Sequence, residues 1–228
     1  MWKAYAFTLG RCAFYVTLGL FVGLFGGYIF SKLNFPGRHK LFLLFLSGLV
    51  MPALLLIVPM YLMVARFPLF GGNNLFGQGG RGLINDARSL FIFGWVPPFA
   101  IFLFKQSYDM LPTEYEDVAK IDGAGLLTII FRVYGPLLKP AIAALIVVTF
   151  LSIWNDFLWP SLILTDRPAF PPITVAIAGV GISPTSSSGR AGPAELLLIL
   201  LALWPPAVVY LVFQRYFIQG LVASGLKG

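Results

Sequence analysis

Charge, cysteine and histidine are all scarce in this chain. Of its 228 residues only 11% are Asp, Glu, Lys or Arg, nine are acidic, and there is one Cys and one His. The lone Cys12 lies in an apolar run and has no partner for an intramolecular disulfide, which excludes a disulfide scaffold. His39 sits between Arg38 and Lys40 and reads as a surface histidine; no ligand spacing points to a metal, and none is expected. A phosphate loop of the form G-x-x-x-x-G-K-[ST] is missing, and Gly71-Gly72 and Gly77–Gly82 lack its lysine, so the chain is not expected to hydrolyse ATP. Nor is there a nucleophile–base set, so no residue is assigned a catalytic role and no enzyme is expected. Ten-residue segments of alternating polarity, the mark of a membrane β-barrel, are absent too. The first apolar run has no small-residue cleavage site close behind it, unlike a secretory signal.

What fills the chain instead is apolar. Hydrophobic residues make up 58% and the mean hydropathy is +0.86, whereas soluble domains carry about 25% charged residues. A soluble globule of this size could not hide so much apolar surface. The composition therefore specifies an integral membrane protein. The net charge of +7 is scattered between apolar runs, which suits topology signals and lipid contacts rather than nucleic acid.

A helix needs about 20 mostly apolar residues to cross the hydrocarbon core. Five segments qualify: Cys12–Phe30, Leu41–Met63, Leu90–Phe104, Pro140–Leu164 and Leu196–Phe213. The predicted fold is an all-α membrane protein, a polytopic bundle of about five spans, with residues 1–228 forming one domain. If the loops Ser31–Lys40 and Lys105–Lys139 and the tail after Phe213 face the cytoplasm, that side holds Lys32, Arg38, Lys40, Lys105, Lys120, Arg132, Lys139, Arg215 and Lys227. The other side holds Lys3, Arg11, Arg66, Arg81, Arg88, Arg167 and Arg190, so the positive-inside bias is nine to seven. Pro52, Pro59, Pro97, Pro98, Pro205 and Pro206 fall inside spans, where each removes a helical hydrogen bond and predicts a kink. Gly19, Gly23 and Gly27 recur every four residues and predict close helix contact.

The segment Lys105–Lys139 differs from the rest: Asp109, Glu114, Glu116, Asp117 and Asp122 are five of the nine acidic residues. Within it, Pro112-Thr113-Glu114-Tyr115-Glu116 reads as a helix start, with Thr113 as N-cap and Glu116 closing a capping box, and Gly123 as the stop. The helix spans about Glu114–Asp122. Tyr115, Val118 and Ala119 form a narrow apolar stripe suited to a groove, although a loop helix covering the end of the bundle fits the same residues.

Here the residues resemble a family. Asp117-Val118-Ala119-Lys120-Ile121-Asp122-Gly123, then nine residues, then Val133-Tyr134-Gly135-Pro136, is similar to the EAA loop of ATP-binding-cassette importer permeases. Ala119, Gly123 and Pro136 match at the proper spacing, while Asp117, Val118, Val133 and Gly135 are substitutions. Phe35-Pro36-Gly37-Arg38, Pro136-Leu137-Leu138-Lys139-Pro140, Trp154-Asn155-Asp156-Phe157-Leu158-Trp159-Pro160 and the tail from Phe213 to Gly228 resemble the carbohydrate-uptake branch, specifically the maltose-type second permease subunit. Such permeases usually have six spans, and this chain starts just ahead of the second of them. A five-span form and a start site assigned too late both account for that, and Lys3 and Arg11 on the outer side favour the latter.

The resemblance implies a multi-pass subunit of a prokaryotic inner membrane with a cytoplasmic C-terminus. It implies a second permease subunit, an ATPase dimer holding ATP and magnesium, and an extracytoplasmic sugar-binding protein as partners, with membrane lipid around them and no cofactor on this chain. Glu114, Tyr115, Glu116, Asp117, Val118, Ala119, Asp122, Gly123 and Pro136 would form the ATPase-coupling element, with Glu116, Asp117 and Asp122 pairing at the rim of the docking groove. Asn155 and Asp156 are the strongly polar pair inside a predicted span. With Trp154 and Trp159 they could form part of a sugar pathway, but the reading the residues favour is an interfacial aromatic belt with Asp156 paired inside the bundle. Arg66–Arg88 and Thr165–Ala194 are expected to face the binding protein, with Ser183–Gly192 reading as a spacer. The same fold could carry a polyol, glycerol phosphate or another solute, and a membrane scaffold or signalling subunit with a docking helix would use the same loop.

Overall fold

Uninterrupted apolar sequence stays helical in this chain, and the breaks fall mostly beside prolines. The computed structural model describes residues 2–92, 98–166, 171–181 and 193–225, and within these every regular element is helical. Helix α1 (Trp2–Lys32) contains no proline and runs for 31 residues, about 46 Å at 1.5 Å per residue. The predicted first span lies inside it, ten residues past its start.

The second predicted span is two helices, α2 (Arg38–Val50) and α3 (Ala53–Ala65), parted where Met51 and Pro52 adopt extended backbone with ψ of 121° and 125°. Pro52 causes this break by biasing Met51 away from helix, whereas α3 continues through Pro59. The third predicted span is likewise not one described helix: α4 (Ser89–Ile92) is short, and α5 (Pro98–Asp109) begins on a proline. Pro97 lies outside the described residues.

The acidic loop supplies α6 (Glu114–Ile121), α7 (Leu126–Thr128), a π-helical turn over Ile129–Tyr134, and α8 (Gly135–Leu137) with Pro136 in its first turn. Helix α9 (Lys139–Trp154) and α10 (Leu158–Ile163) share the fourth span. After α11 (Ile173–Gly181), α12 (Pro193–Gly225) carries the fifth and passes through Pro205 and Pro206 without ending. Arg167, Arg190, Lys227 and the Ser-rich Ser183–Gly192 lie outside the described residues. Among the described residues, α1 and the stretch 139–163 are each long and apolar enough to cross a membrane, and α2 with α3 qualify only together.

The chain divides into two compact units: Met1–Tyr15, Pro52–Trp95 and Phe150–Val208 form the first, and Val16–Met51, Val96–Thr149 and Val209–Gly228 the second. Lys3, Arg11, Arg66, Arg81 and Arg88, assigned by sequence to one side, all belong to the first. Lys32, Arg38, Lys40, Lys105, Lys120, Arg132 and Lys139, assigned to the other, all belong to the second.

In the second unit, glycine lets α1 and α5 meet. A Cβ on Gly23 would reach the Phe104 ring, and one on Gly27 would lie 2.8 Å from the Lys105 backbone nitrogen. Phe104 is fully buried there with Tyr108, Ile130, Tyr134 and Leu145. In the first unit, Val64, Leu83, Leu90, Ile163 and Leu164 make the core.

Above that core, residues 66–88 are held from within. Asn73 donates to the carbonyls of Ala65 (2.9 Å) and Phe67 (3.1 Å) and accepts from the Gly80 N–H (2.8 Å). Asn85 accepts from the Asp166 N–H (2.9 Å) and the Thr165 hydroxyl (3.1 Å), which binds the second loop to the first. Gly77 adopts a φ of 72° with the Arg66 carbonyl against its Cα, a position closed to any side chain.

Overpacking at the helix contact is the sensitive point. Gly27→Leu should destabilise the protein by about 1–3 kcal/mol in detergent melts. Gly10→Ala, where an added Cβ meets nothing within 4 Å, should raise stability by about 0.5–1 kcal/mol.

Candidate functional site

Helix α6 begins differently from its sequence expectation. Thr113 already has helical angles (φ −73°, ψ −21°) and its side chain makes no cap bond. Its carbonyl starts the helix by accepting from the N–H groups of Glu116 (2.9 Å) and Asp117 (3.1 Å). The capping box therefore does not form.

Glu116 turns inward instead. It is 5% exposed, and its carboxylate accepts from the Tyr28 hydroxyl at 2.6 Å, the Tyr134 hydroxyl at 3.3 Å and Lys120 Nζ at 2.7 Å. Two buried phenols need an acceptor, and bonds to an ionised carboxylate are about twice as strong as neutral ones. That demand outcompetes a local cap. Glu116 is thus an internal anchor rather than a rim charge, while Glu114, Asp117 and Asp122 stay exposed.

The anchor rotates the apolar stripe. Ala119 is buried at 8%, whereas Tyr115, Val118 and Ile121 are exposed at 49%, 59% and 85%. The outward apolar face is Tyr115–Val118–Ile121, and Ile121 is the member that the i, i+3, i+4 pattern overlooked. The helix stops as expected: Gly123 has φ +75°, its N–H reaches the Lys120 carbonyl (3.0 Å), and the Ala124 N–H reaches that of Ala119 (2.9 Å). These two bonds are a Schellman closure, which needs the left-handed residue glycine tolerates. Pro136 is exposed in α8, two residues after Tyr134.

The second group lies at the break between α9 and α10. Residues 155–157 are not helical, so Asn155 and Asp156 sit in a gap of the span rather than on it. Pro160 lacks the N–H that would bond the Asp156 carbonyl four residues back; the Thr174 hydroxyl supplies that bond at 2.8 Å. The Asp156 carboxylate accepts from Arg11 Nη2 at 2.6 Å, and the Arg11 side chain is 3% exposed. Arg11 Nε (3.3 Å) and the Tyr15 hydroxyl (2.7 Å) both donate to the Leu90 carbonyl, two residues from the end of α4. Asp156 is thus paired inside the bundle, and the charge of Arg11 is an internal partner rather than a topology signal.

Trp154 belongs to the packing. It is 3% exposed, lies parallel to Phe150 at 5.5 Å, and donates to the Ala202 carbonyl at 3.1 Å. Asn155 is exposed. Trp159 lines a cavity of about 280 Å³ together with Arg11, Tyr15 and Asp156. Sequence reasoning missed Arg11 and Tyr15 as members of this group. Their signal was present: a single cation in an apolar run, one helical turn before a tyrosine.

The family model for the inner membrane component of binding-protein-dependent transport systems matches residues 16–222, and the chain belongs to that family. It is a membrane-spanning permease component of a transport system and not an enzyme. An arabinooligosaccharides transport system permease protein, AraQ of Bacillus subtilis, is 30% identical over 217 residues, covering 94% of this chain and 70% of that protein. The sn-glycerol-3-phosphate transport system permease protein UgpE of Yersinia enterocolitica is 34% identical, covering 93% and 70%. The fold is also that of a chain in the crystal structure of a bacterial ABC transporter involved in the import of the acidic polysaccharide alginate, with TM-score 0.72, 23% identity, and 95% and 75% of the two chains covered.

Burial pushes the Glu116 pKa up, but the hydrogen bonds and charge that Lys120 supplies, with those of the two tyrosines, prevail and hold it below its ordinary 4.5. A depressed carboxylate stabilises the fold above the unfolded value and loses that contribution as pH falls through the folded one. Thermal unfolding between neutral pH and pH below about 4.5 should therefore show an acid-side loss that Glu116→Gln removes. Glu116→Ala, which strips both tyrosine hydroxyls of their acceptor, should cost about 1–3 kcal/mol per orphaned group at neutral pH.

Proposed function

We propose that this chain is one permease half of an ATP-driven importer for sugars, and that α6 is its docking element for a separate ATPase. The observation that carries the docking role is the division of α6 into two faces: Glu116 and Ala119 hold it to its own unit, and Tyr115, Val118 and Ile121 face outward. An internally fixed helix with an unpartnered apolar face suits insertion into a groove on another protein. Glu114, Asp117 and Asp122, exposed around that face, would pair with cations at the groove rim. Gly123 and Pro136 set where the helix stops and how the chain returns to α9.

ATP and magnesium would be held by the ATPase dimer, and this chain would bind no cofactor. A second permease subunit would complete the pathway and an extracytoplasmic sugar-binding protein would deliver the solute onto the stitched loops at 66–88 and 164–166. In this orientation α6 and the C-terminus are cytoplasmic, and residues 1–228 act as a single permease domain with 105–139 as its coupling loop. The sugar assignment draws on the relatives whose solutes are oligosaccharides and on the tryptophan and carboxylate chemistry beside Arg11.

Val118 and Ile121 are exposed, so aspartate at either leaves the core intact. Val118→Asp and Ile121→Asp should abolish copurification of the ATPase and solute uptake, while the permease melts at its normal temperature. Retained ATPase capture by both variants would sink the docking assignment.

A further inference from the structure

We infer that the turn between α1 and α2, together with the exposed flank of α2, is a binding site for the phosphate of an anionic membrane lipid. The inference rests on the membrane character of the chain and not on which solute it carries.

Charge singles this turn out. No Asp or Glu occurs before Asp86, and the stretch from Lys32 to Lys40 holds Lys32, Arg38, His39 and Lys40. Lys32 is engaged, donating to the Leu111 carbonyl at 2.7 Å and lying over the Tyr134 ring. Asp109, which α1 reaches through Ser31, is taken by Lys105 at 2.6 Å. Among the described residues neither Arg38 nor Lys40 forms an ion pair. The protein leaves both charges unanswered.

Arg38 is nonetheless fixed in place. Its Nη1 donates to the carbonyls of Leu33 (3.0 Å) and Ser31 (3.3 Å) and to Asn34 Oδ1 (3.2 Å), all of them uncharged. These bonds orient the guanidinium without neutralising it, so little freedom is left to lose when an anion arrives. Residues Asn34 to Lys40 line an open cavity of about 700 Å³, which is room enough for a headgroup.

Depth and the neighbouring surface decide the source of the anion. Helix α1 ends at Lys32, and its length of about 46 Å slightly exceeds a bilayer of about 40–45 Å with headgroups. The turn that follows it therefore lies at headgroup depth. One face of α2 is spent inside, where Phe42 is buried with Phe30 and Ile101. The other face continues from the cations: Leu44 follows Lys40 by four residues and Leu41 by three, and the two leucines are exposed at 42% (Leu41) and 68% (Leu44). Cations at the start of a helix and apolar side chains along it match a phospholipid, whose phosphate meets Arg38 and Lys40 while its acyl chains cover the leucines. A free phosphate would leave those leucines bare.

The test takes the purified protein, with the subunits that copurify, in neutral detergent and titrates it with phosphatidylglycerol, phosphatidylcholine or inorganic phosphate. Bound ligand is read by native mass spectrometry and stability by thermal unfolding. Phosphatidylglycerol should bind and raise the melting temperature where the other two do not. Lys40→Gln, at an exposed position, should weaken that binding about fivefold, and Arg38→Gln combined with Lys40→Gln about twentyfold. If the double variant does not fold, the single one decides. Arg81→Gln, whose guanidinium already has Asp166 at 3.7 Å, should leave binding unchanged. Equal binding of the two lipids, an unmoved affinity in Lys40→Gln, or an equal loss in Arg81→Gln would overturn the site. Inorganic phosphate bound through the same residues would overturn the lipid assignment in favour of a free anion. Loss of copurifying subunits in Lys40→Gln with lipid binding intact would give this face to a protein partner instead.

Discussion

A guanidinium buried among apolar helices must have its charge answered where it stands, because the surroundings offer little water to do so. Arg11 meets that requirement on two other elements at once. Its Nη2 holds the carboxylate in the gap between α9 and α10, and its Nε, with the Tyr15 hydroxyl, holds the Leu90 carbonyl near the end of α4. The break at 155–157 is a place where the helical ladder stops supplying partners. A cation on α1 thus holds the interrupted span of α9 and α10 and the Leu90 carbonyl of α4 inside one unit. Among the described residues its Nη1, sealed from solvent, has no hydrogen-bond partner.

Glu116 obeys the same rule with the opposite sign in the second unit. The carboxylate joins Tyr28 on α1, Tyr134 on the π-helical turn and Lys120 on its own helix. Tyr28, Tyr108 and Tyr134 also meet edge to face or tilted, with centroids 5.2 to 6.4 Å apart. Displacement of α6 must therefore either carry these elements along or break charge-assisted bonds. That is the mechanical property a coupling helix requires, and it comes from side chains that face inward rather than from those offered to a partner.

The class of fold was legible from composition and apolar runs because burial in lipid needs only hydrophobicity and length. Helix α6 was legible from its acidic cluster and its glycine stop. Helix breaks were less so: Pro52 interrupts a span while Pro59, Pro205 and Pro206 do not, since the outcome depends on which neighbouring groups take up the freed carbonyls. The Asp156 carbonyl found Thr174, which lies 18 residues away in sequence. Long-range partners defeated the local readings elsewhere too. A capping box was expected from Thr113 and Glu116, yet a tyrosine 88 residues earlier claimed the glutamate. Arg11 read as a topology signal because its counter-ion is 145 residues away.

The loop over residues 66–88 separates two kinds of information that usually compete for the same side chains. Its shape is written in asparagine amides and backbone groups, with Asn73 sealed beneath at 7% exposed, while Leu69, Leu75 and Phe76 project outward at 68%, 71% and 82%. The outward residues contribute little to the internal frame. Under the proposed reading, recognition on this surface would be exchangeable: changing three apolar tips would change which delivery protein is received, with the fold as an unaltered chassis.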